Sequence, residues 1–241
     1  MYDIKEFHFN KNECWFKNFC SDYGNPELCH CACPEYVQFF YLVNMANIPP
    51  AKQYKENLVL EPGLDKNEYE YLKGIQDDIV NWVKQGNNLY LFSERFGNGK
   101  TTWAIKIMLQ YFFEIYPGNG IEHCRGLFLN VDQFLRDMRN NIDKKDKRFT
   151  EMCELIPTVD LIIWDDIGCR QLSDYEFNTL YTYINERMSY EKANIFTSNV
   201  IDEGLVKNIG GRLADRILNT SDIVEFINPS QRKPARERGR K

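Results

Sequence analysis

The sequence predicts an α/β chain, a parallel sheet of five strands flanked by helices, with a small cysteine-rich module in front of it. Three observations predict this. The apolar run NLYLFS at 88–93 reads as a buried strand and leads through a glycine-bearing loop into TTWAIKIMLQYFFEIY at 101–116, whose apolar spacing is that of a packed helix. The run VDLIIWDDIG at 159–168 is so hydrophobic ahead of its two carboxylates that both its faces must be covered, as in a parallel sheet between helices. A further buried run, ANIFTSN at 193–199, ends on the polar pair Ser198 and Asn199.

The loop ERFGNGKT at 94–101 sits where a helix begins. The first amides of a helix lack intrahelical partners and its dipole is positive there, so Gly97 and Gly99 let bare backbone curl around a triphosphate. In this reading Phe96, Gly97, Asn98, Gly99, Lys100, Thr101 and Thr102 form the ATP cradle, with Lys100 reaching the outer phosphates and Thr101 the Mg²⁺. The pattern for such a loop is G-x-x-x-x-G-K-[ST], and Glu94 stands where the first glycine belongs. A glycine-rich turn that only caps a helix is the plainer alternative.

Charges at the C-terminal end of a buried strand project into the ligand crevice of an open α/β sheet. Asp165 is expected to hold Mg²⁺, directly or through water, and Asp166 to orient or deprotonate the attacking water. Ser198 and Asn199 fall beside that strand, within reach of the γ-phosphate or its water. Downstream, GGRLADRI at 210–217 places Arg212 and Arg216 four residues apart on one helix face. An arginine so far from its own phosphate loop is a candidate finger for a neighbour's ATP; two solvated surface arginines are the alternative.

Taken in order, ERFGNGKT, LIIWDDIG, IFTSN and GGRLADRI resemble the AAA+ ATPases of the helicase-loader group, the DnaC and DnaI type, phage-encoded versions included, over roughly residues 88–228. Members often carry Asp-Asp where most AAA+ ATPases carry Asp-Glu, then a Thr-Ser-Asn sensor, then a helix with paired arginines. The resemblance implies Lys100 and Thr101 as Walker A residues, Asp165 and Asp166 as Walker B, Asn199 as sensor 1 and Arg216 as the arginine finger, with Arg212 beside it at the nucleotide. It also implies ATP hydrolysis coupled to loading a hexameric, DnaB-type replicative helicase onto single-stranded DNA, by a loader that is itself a homo-oligomeric ring or spiral. Two other readings fit the same residues: an IstB-like transposition-helper ATPase, and a non-hydrolysing adaptor that grips the helicase.

The 241 residues, 43% hydrophobic, suffice for one α/β domain and an appendage. The expected division is a cysteine-rich, helicase-docking domain at 1–48, a linker at 49–65, the ATPase domain at 66–228 and a disordered basic tail at 229–241. No apolar run approaches the roughly 18 residues of a membrane span, and MYDIKEFHFN has no signal-peptide core, so a cytoplasmic protein without a membrane partner is expected. A net charge of -5 argues against a uniformly DNA-coated surface. Any nucleic-acid contact is therefore local. One candidate is the tail, with six Lys or Arg against one Glu between 230 and 241; the other is the segment carrying Arg136, Arg139, Lys144, Lys145, Lys147 and Arg148, where Phe149 could stack on a base.

Five of the eight cysteines, Cys14, Cys20, Cys29, Cys31 and Cys33, crowd into 20 residues with His30 among them. In a reducing compartment such clustering points to metal before disulfide, and zinc takes four thiolate or imidazole ligands. The expected ligands are Cys14, Cys20, Cys29 and Cys33, with Cys31 or His30 as rivals and free thiols as the alternative. Cys124, Cys153 and Cys169 read as small core fillers. PEYVQFFYLVNMAN at 34–47 reads as a helix whose apolar face is free to dock a partner, and NEYEYLKGIQDDIVNWVKQG at 67–86 as a single amphipathic helix.

Overall fold

Short apolar strands, too hydrophobic to face water, pair into one sheet in the computed structural model, which describes residues 11–231 apart from 19, 31, 54–57, 120–122 and 145. They are β1 (Asn88–Phe92), β2 (Gly126–Asn130), β3 (Leu161–Asp165), β4 (Ala193–Ser198) and β5 (Ser221–Glu225), in the order β2-β3-β4-β1-β5. Every neighbouring pair runs parallel, so the expected five-stranded parallel sheet between helices is present. β1, β3 and β4 are buried along their whole length, which accounts for their unbroken apolar runs. Alternate side chains feed two cores, Leu89 and Leu91 one, Tyr90 and Phe92 the other.

The first core lies under α1 (Pro34–Met45), α2 (Lys66–Asp77), α3 (Ile79–Lys84) and α4 (Lys100–Asn119). The second lies under α5 (Val131–Lys144), α6 (Lys147–Leu155), α7 (Asp174–Ser189), α8 (Asp202–Ile209) and α9 (Gly211–Thr220). Helix α1 does not offer a free apolar face. Tyr36, Phe39, Phe40, Leu42 and Val43 are buried, and Phe39 meets Phe113 of α4 edge-on at 6.3 Å. Full burial of such side chains stabilises by about 1.5–3 kcal/mol each, more than exposure to an absent partner could match. Two bonds tie the end of α1 to β2, from Phe128 N to Ala46 O at 2.7 Å and from Asn47 Nδ2 to Phe128 O at 3.2 Å. The single helix expected at 67–86 is two, broken at Asp78, whose φ of -123° and ψ of 31° leave helical geometry. Its carboxylate accepts from Asn81 Nδ2 at 2.7 Å, a local bond that competes with the helix.

The segment before α2 forms a strap. The buried carboxylate of Asp65 accepts from the amides of Ile227 and Asn228 at 2.8 and 3.2 Å. In return, Asn228 accepts from Leu64 N and donates to Pro62 O, both at 2.7 Å. Gly63, at φ 50°, is required here because a Cβ would lie 2.5 Å from Asn228 Oδ1. Gln231 closes the strap through Glu61, accepting from its amide at 3.0 Å and donating to its carbonyl at 2.9 Å. Residues 232–241, the body of the basic tail, lie outside the described residues. Among those described, no helix is long and apolar enough to cross a membrane.

Candidate nucleotide-binding site

Where β1 ends, the chain curls through Ser93 to Gly99 before α4 begins. Gly97 and Gly99 take φ of 77° and 105°, which side chains disfavour, and a Cβ on Gly99 would lie 2.9 Å from Leu60 of the strap. The loop is braced from inside. Buried Asn98 donates to Ser93 Oγ and to Phe226 O, while Ser93 Oγ also accepts from Arg95 N at 3.1 Å. From outside, Gln231 N donates to Gly97 O at 2.9 Å and Lys52 Nζ reaches Thr102 Oγ1 at 2.7 Å. Phe96 stands at the tip, 71% exposed. Thus the structure brings the loop residues of the sequence reading together, with the Asn98 side chain spent on bracing and Thr102 engaged by Lys52.

Lys100, only 6% exposed, donates to Asn199 Oδ1 at 2.7 Å, to Arg95 O at 3.1 Å and to Asn98 Oδ1 at 3.3 Å. One residue on, Thr101 Oγ1 donates to Asp165 Oδ1 at 2.7 Å. Burial pushes the Asp165 carboxyl above its ordinary range and the charge of Asp166 adds to this, while hydrogen bonds from Thr101, Thr197 and Asn130 oppose it. Two adjacent acids beside a hydroxyl, partly desolvated, form a hard oxygen donor set short of positive charge. The residues present therefore fit a triphosphate with Mg²⁺: two glycines in left-handed backbone ahead of a helix N-terminus, Lys100 beside them, and Thr101 and Asp165 placed to hold the cation.

Ser198 does not reach this crevice. Its hydroxyl donates to Ile167 O at 2.6 Å, and Thr197 takes the place expected for it, donating to Asp165 Oδ1 at 2.8 Å and accepting from Asp166 N at 3.0 Å. The two-residue period of a strand was the available signal, since it sets Thr197 and Asn199 on one face and Ser198 on the other. Arg212 and Arg216 sit on α9, whose Leu213, Ala214 and Ile217 are buried. Their guanidinium carbons lie 4.5 and 5.9 Å from the ring centroid of Tyr181 on α7, a partner no sequence pattern singled out. Among the described residues neither has a hydrogen bond or ion pair to the phosphate loop.

The model of the IstB-like ATP-binding protein family matches residues 35–239. The chain belongs to that family. No curated protein matches it. The IstB-like chain is similar in structure to DnaI, at 18% identity and TM-score 0.54 over 76% of this chain and 93% of that one. It is similar to the DnaC helicase loader at 18% identity and TM-score 0.50, over 62% and 86% of the two chains. AMPPCP-bound DnaA from Aquifex aeolicus aligns at 20% identity and TM-score 0.54, over 70% of this chain and 48% of that one. The chain thus spans about half the length of the DnaA structures it matches. At these identities the likeness shows the fold alone.

Outside the crevice, three of the six cations in the basic segment of the IstB-like chain are paired with acids, and Lys145 lies outside the described residues. Arg136 pairs with Asp132, Arg139 with the buried Glu176 at 2.8 Å, and Lys147 with Glu151 at 3.5 Å. Phe149, partly buried, packs against the second core with its ring centroid 6.0 Å from that of Phe134. At the front end Cys14, Cys20 and Cys33 pack against the first core. Burial raises the Cys14 thiol, and the fields of Cys29 and Cys20 add to it. Cys33 Sγ donates to Glu35 Oε2 at 3.2 Å, and His30 Nδ1 accepts from Ala32 N at 3.1 Å. Among the described residues no three His, Cys, Asp or Glu gather closely enough to hold a metal, and Cys31 lies outside them. Cys169 is exposed rather than a core filler.

Proposed function

We propose that this IstB-like protein is an ATPase that loads a replicative hexameric helicase of the DnaB type onto single-stranded DNA, as a homo-oligomeric ring or spiral. The observation that carries the reading is the closed set around the phosphate loop, in which Lys100 meets Asn199 at 2.7 Å and Thr101 meets Asp165 at 2.7 Å. Gly97 to Thr101 bind and orient the triphosphate, Lys100 faces its outer oxygens, and Asp166 takes the proton of the attacking water while Asn199 orients it. Mg²⁺, held by Thr101 and Asp165, neutralises charge on the phosphates when bound. Arg216 of an associated copy, with Arg212 beside it, completes the charge stabilisation; such a finger is worth about 10³ to 10⁵ in rate. Turnover is accordingly low in the isolated chain. The fold likeness to the DnaC helicase loader and to DnaI supports the choice of partner.

Mixing the full chain with candidate hexameric helicases and ATP tests this, with a co-migrating complex and DNA-stimulated turnover expected. Absence of any helicase complex, together with DNA-dependent self-assembly, would instead favour the transposition-helper reading, which the IstB-like family match supports. A helicase complex without turnover, indifferent to Lys100→Ala, would leave a non-hydrolysing adaptor.

Zinc at Cys14, Cys20, Cys29 and Cys33 belongs to the same proposal. What supports it is the crowding of five of the eight cysteines into residues 14–33, of which Cys14, Cys20 and Cys33 pack against the first core. Elemental analysis should find about one zinc per chain, lost in Cys14→Ala; metal-free protein with unchanged stability removes this part alone.

A further inference from the structure

Tyr181 lies on α7, outside the residues assigned above to nucleotide, yet it holds both candidate finger arginines. Arg212 and Arg216 approach its ring to 4.5 and 5.9 Å, inside the roughly 6 Å reach of a cation–π contact. The ring is itself fixed. Phe177, one turn earlier, stacks on it with centroids 5.7 Å apart and planes at 24°. Phe177 in turn abuts the start of α9, for a Cβ on Gly210 would lie 3.2 Å from that ring. The aromatic pair of α7 therefore grips both the first residue before α9 and its two arginines.

The setting separates these arginines from others in the body. Arg125, Arg136, Arg139 and Arg170 are tied to carboxylates, and Arg187 to carbonyl oxygens and Asn194. Among the described residues, Arg212 and Arg216 have no ion pair; both line an open hollow of about 540 Å³, and Asp215, the acid of that lining, accepts from Asn219 Nδ2 at 2.7 Å. Like charges four residues apart on a helix repel one another. The negative face of a ring shared between them offsets that repulsion. A carboxylate would also hold the two side chains, but it would cancel their charge and occupy their donors. An aromatic face orients a guanidinium and leaves its donor edge available for a phosphate.

We propose that Tyr181 is the positioning residue of the arginine finger: its ring sets the direction of Arg212 and Arg216, so that the triphosphate of an associated copy meets a preformed pair of uncancelled guanidinium groups. The proposal rests on the reading of Arg216 as the finger. It is tested with the full chain, measuring ATP turnover against protein concentration for Tyr181→Leu, Tyr181→Phe and Arg216→Ala, alongside KM for ATP and thermal melts. Tyr181→Leu keeps apolar packing on Phe177 but removes the ring face. At concentrations where copies associate it should lower kcat by about 2- to 5-fold, the scale of a solvent-exposed cation–π contact. KM and the melting temperature should hold, and Tyr181→Phe should restore kcat. Wild-type kcat in Tyr181→Leu, while Arg216→Ala is impaired, overturns the positioning role and spares the finger. A Tyr181→Phe defect equal to that of leucine, or a fall in kcat accompanied by loss of stability and a risen KM, overturns it in favour of a hydroxyl or purely structural role. Unimpaired turnover of associated Arg216→Ala, or no turnover at any concentration, removes the finger reading and this proposal together.

Discussion

The ammonium of Lys100 and the side-chain carbonyl of Asn199 meet at 2.7 Å across the gap between the phosphate loop and the end of β4. In the proposed function, the ammonium that faces the outer phosphates is thereby connected to the residue that orients the water. Lys100→Ala removes a charged hydrogen-bonding group, a loss of about 1.5–3 kcal/mol, so ATP affinity by calorimetry should fall about 10- to 100-fold. Asn199→Ala should spare affinity and lower kcat. Equal effects of the two on affinity would contradict this division of labour.

Thr197 joins the two acids, donating to Asp165 and accepting from the Asp166 amide. Thr197→Val keeps the shape and removes both bonds, leaving a partly buried amide unpaired at a cost of about 1–3 kcal/mol. Denaturant unfolding should show that loss, and turnover should drop about tenfold. Thr197→Ser should behave as wild type in both.

Glu176, 1% exposed, gathers Arg170, Arg139 and the Ser173 amide around one carboxylate. The Arg170 bonds above all hold its carboxyl down at about 2. The fold favours the ionised form, so this stabilisation is complete above the ordinary glutamate range near 4.5 and is lost as pH falls from there towards 2. Melting temperature against pH should decline through that window. Glu176→Gln should melt about 5 °C lower or more at neutral pH and show a flatter decline.

Asp65 serves two backbone amides 162 and 163 residues away. Asp65→Ala strands both, so urea unfolding should report a loss of about 2 kcal/mol or more, with Asp65→Asn between the two. ATP affinity should weaken as well, because Leu60 and Gln231 on the same strap touch Gly99 and Gly97.

The parallel sheet, the phosphate loop and Asp165 were legible in the sequence because each is written in consecutive residues: an apolar run, then glycines or acids. The docking of α1 was not, since an amphipathic helix reads the same whether its apolar face meets α4 or solvent. The strap escaped too. Prolines at 49, 50 and 62 suggest slackness, whereas the bonds that fix it join Asp65 to residues beyond β5. Thr197 and Ser198 look alike by composition, and only the alternation of a strand tells which hydroxyl faces the acids. Tyr181 carries no local mark of its meeting with α9.

The backbone at Asp166 turns left-handed, with φ of 56°, and Gly168 follows at 76°. Glycine, asparagine and aspartate enter that conformation most readily, and a longer acid gains no comparable relief from local bonding. A glutamate can enter such a bend, as Glu191 does at φ 51°, but without the local bonding that eases a shorter acid into it. The brevity of the second acid thus has a conformational side: the curve of the chain favours a short polar side chain at that point.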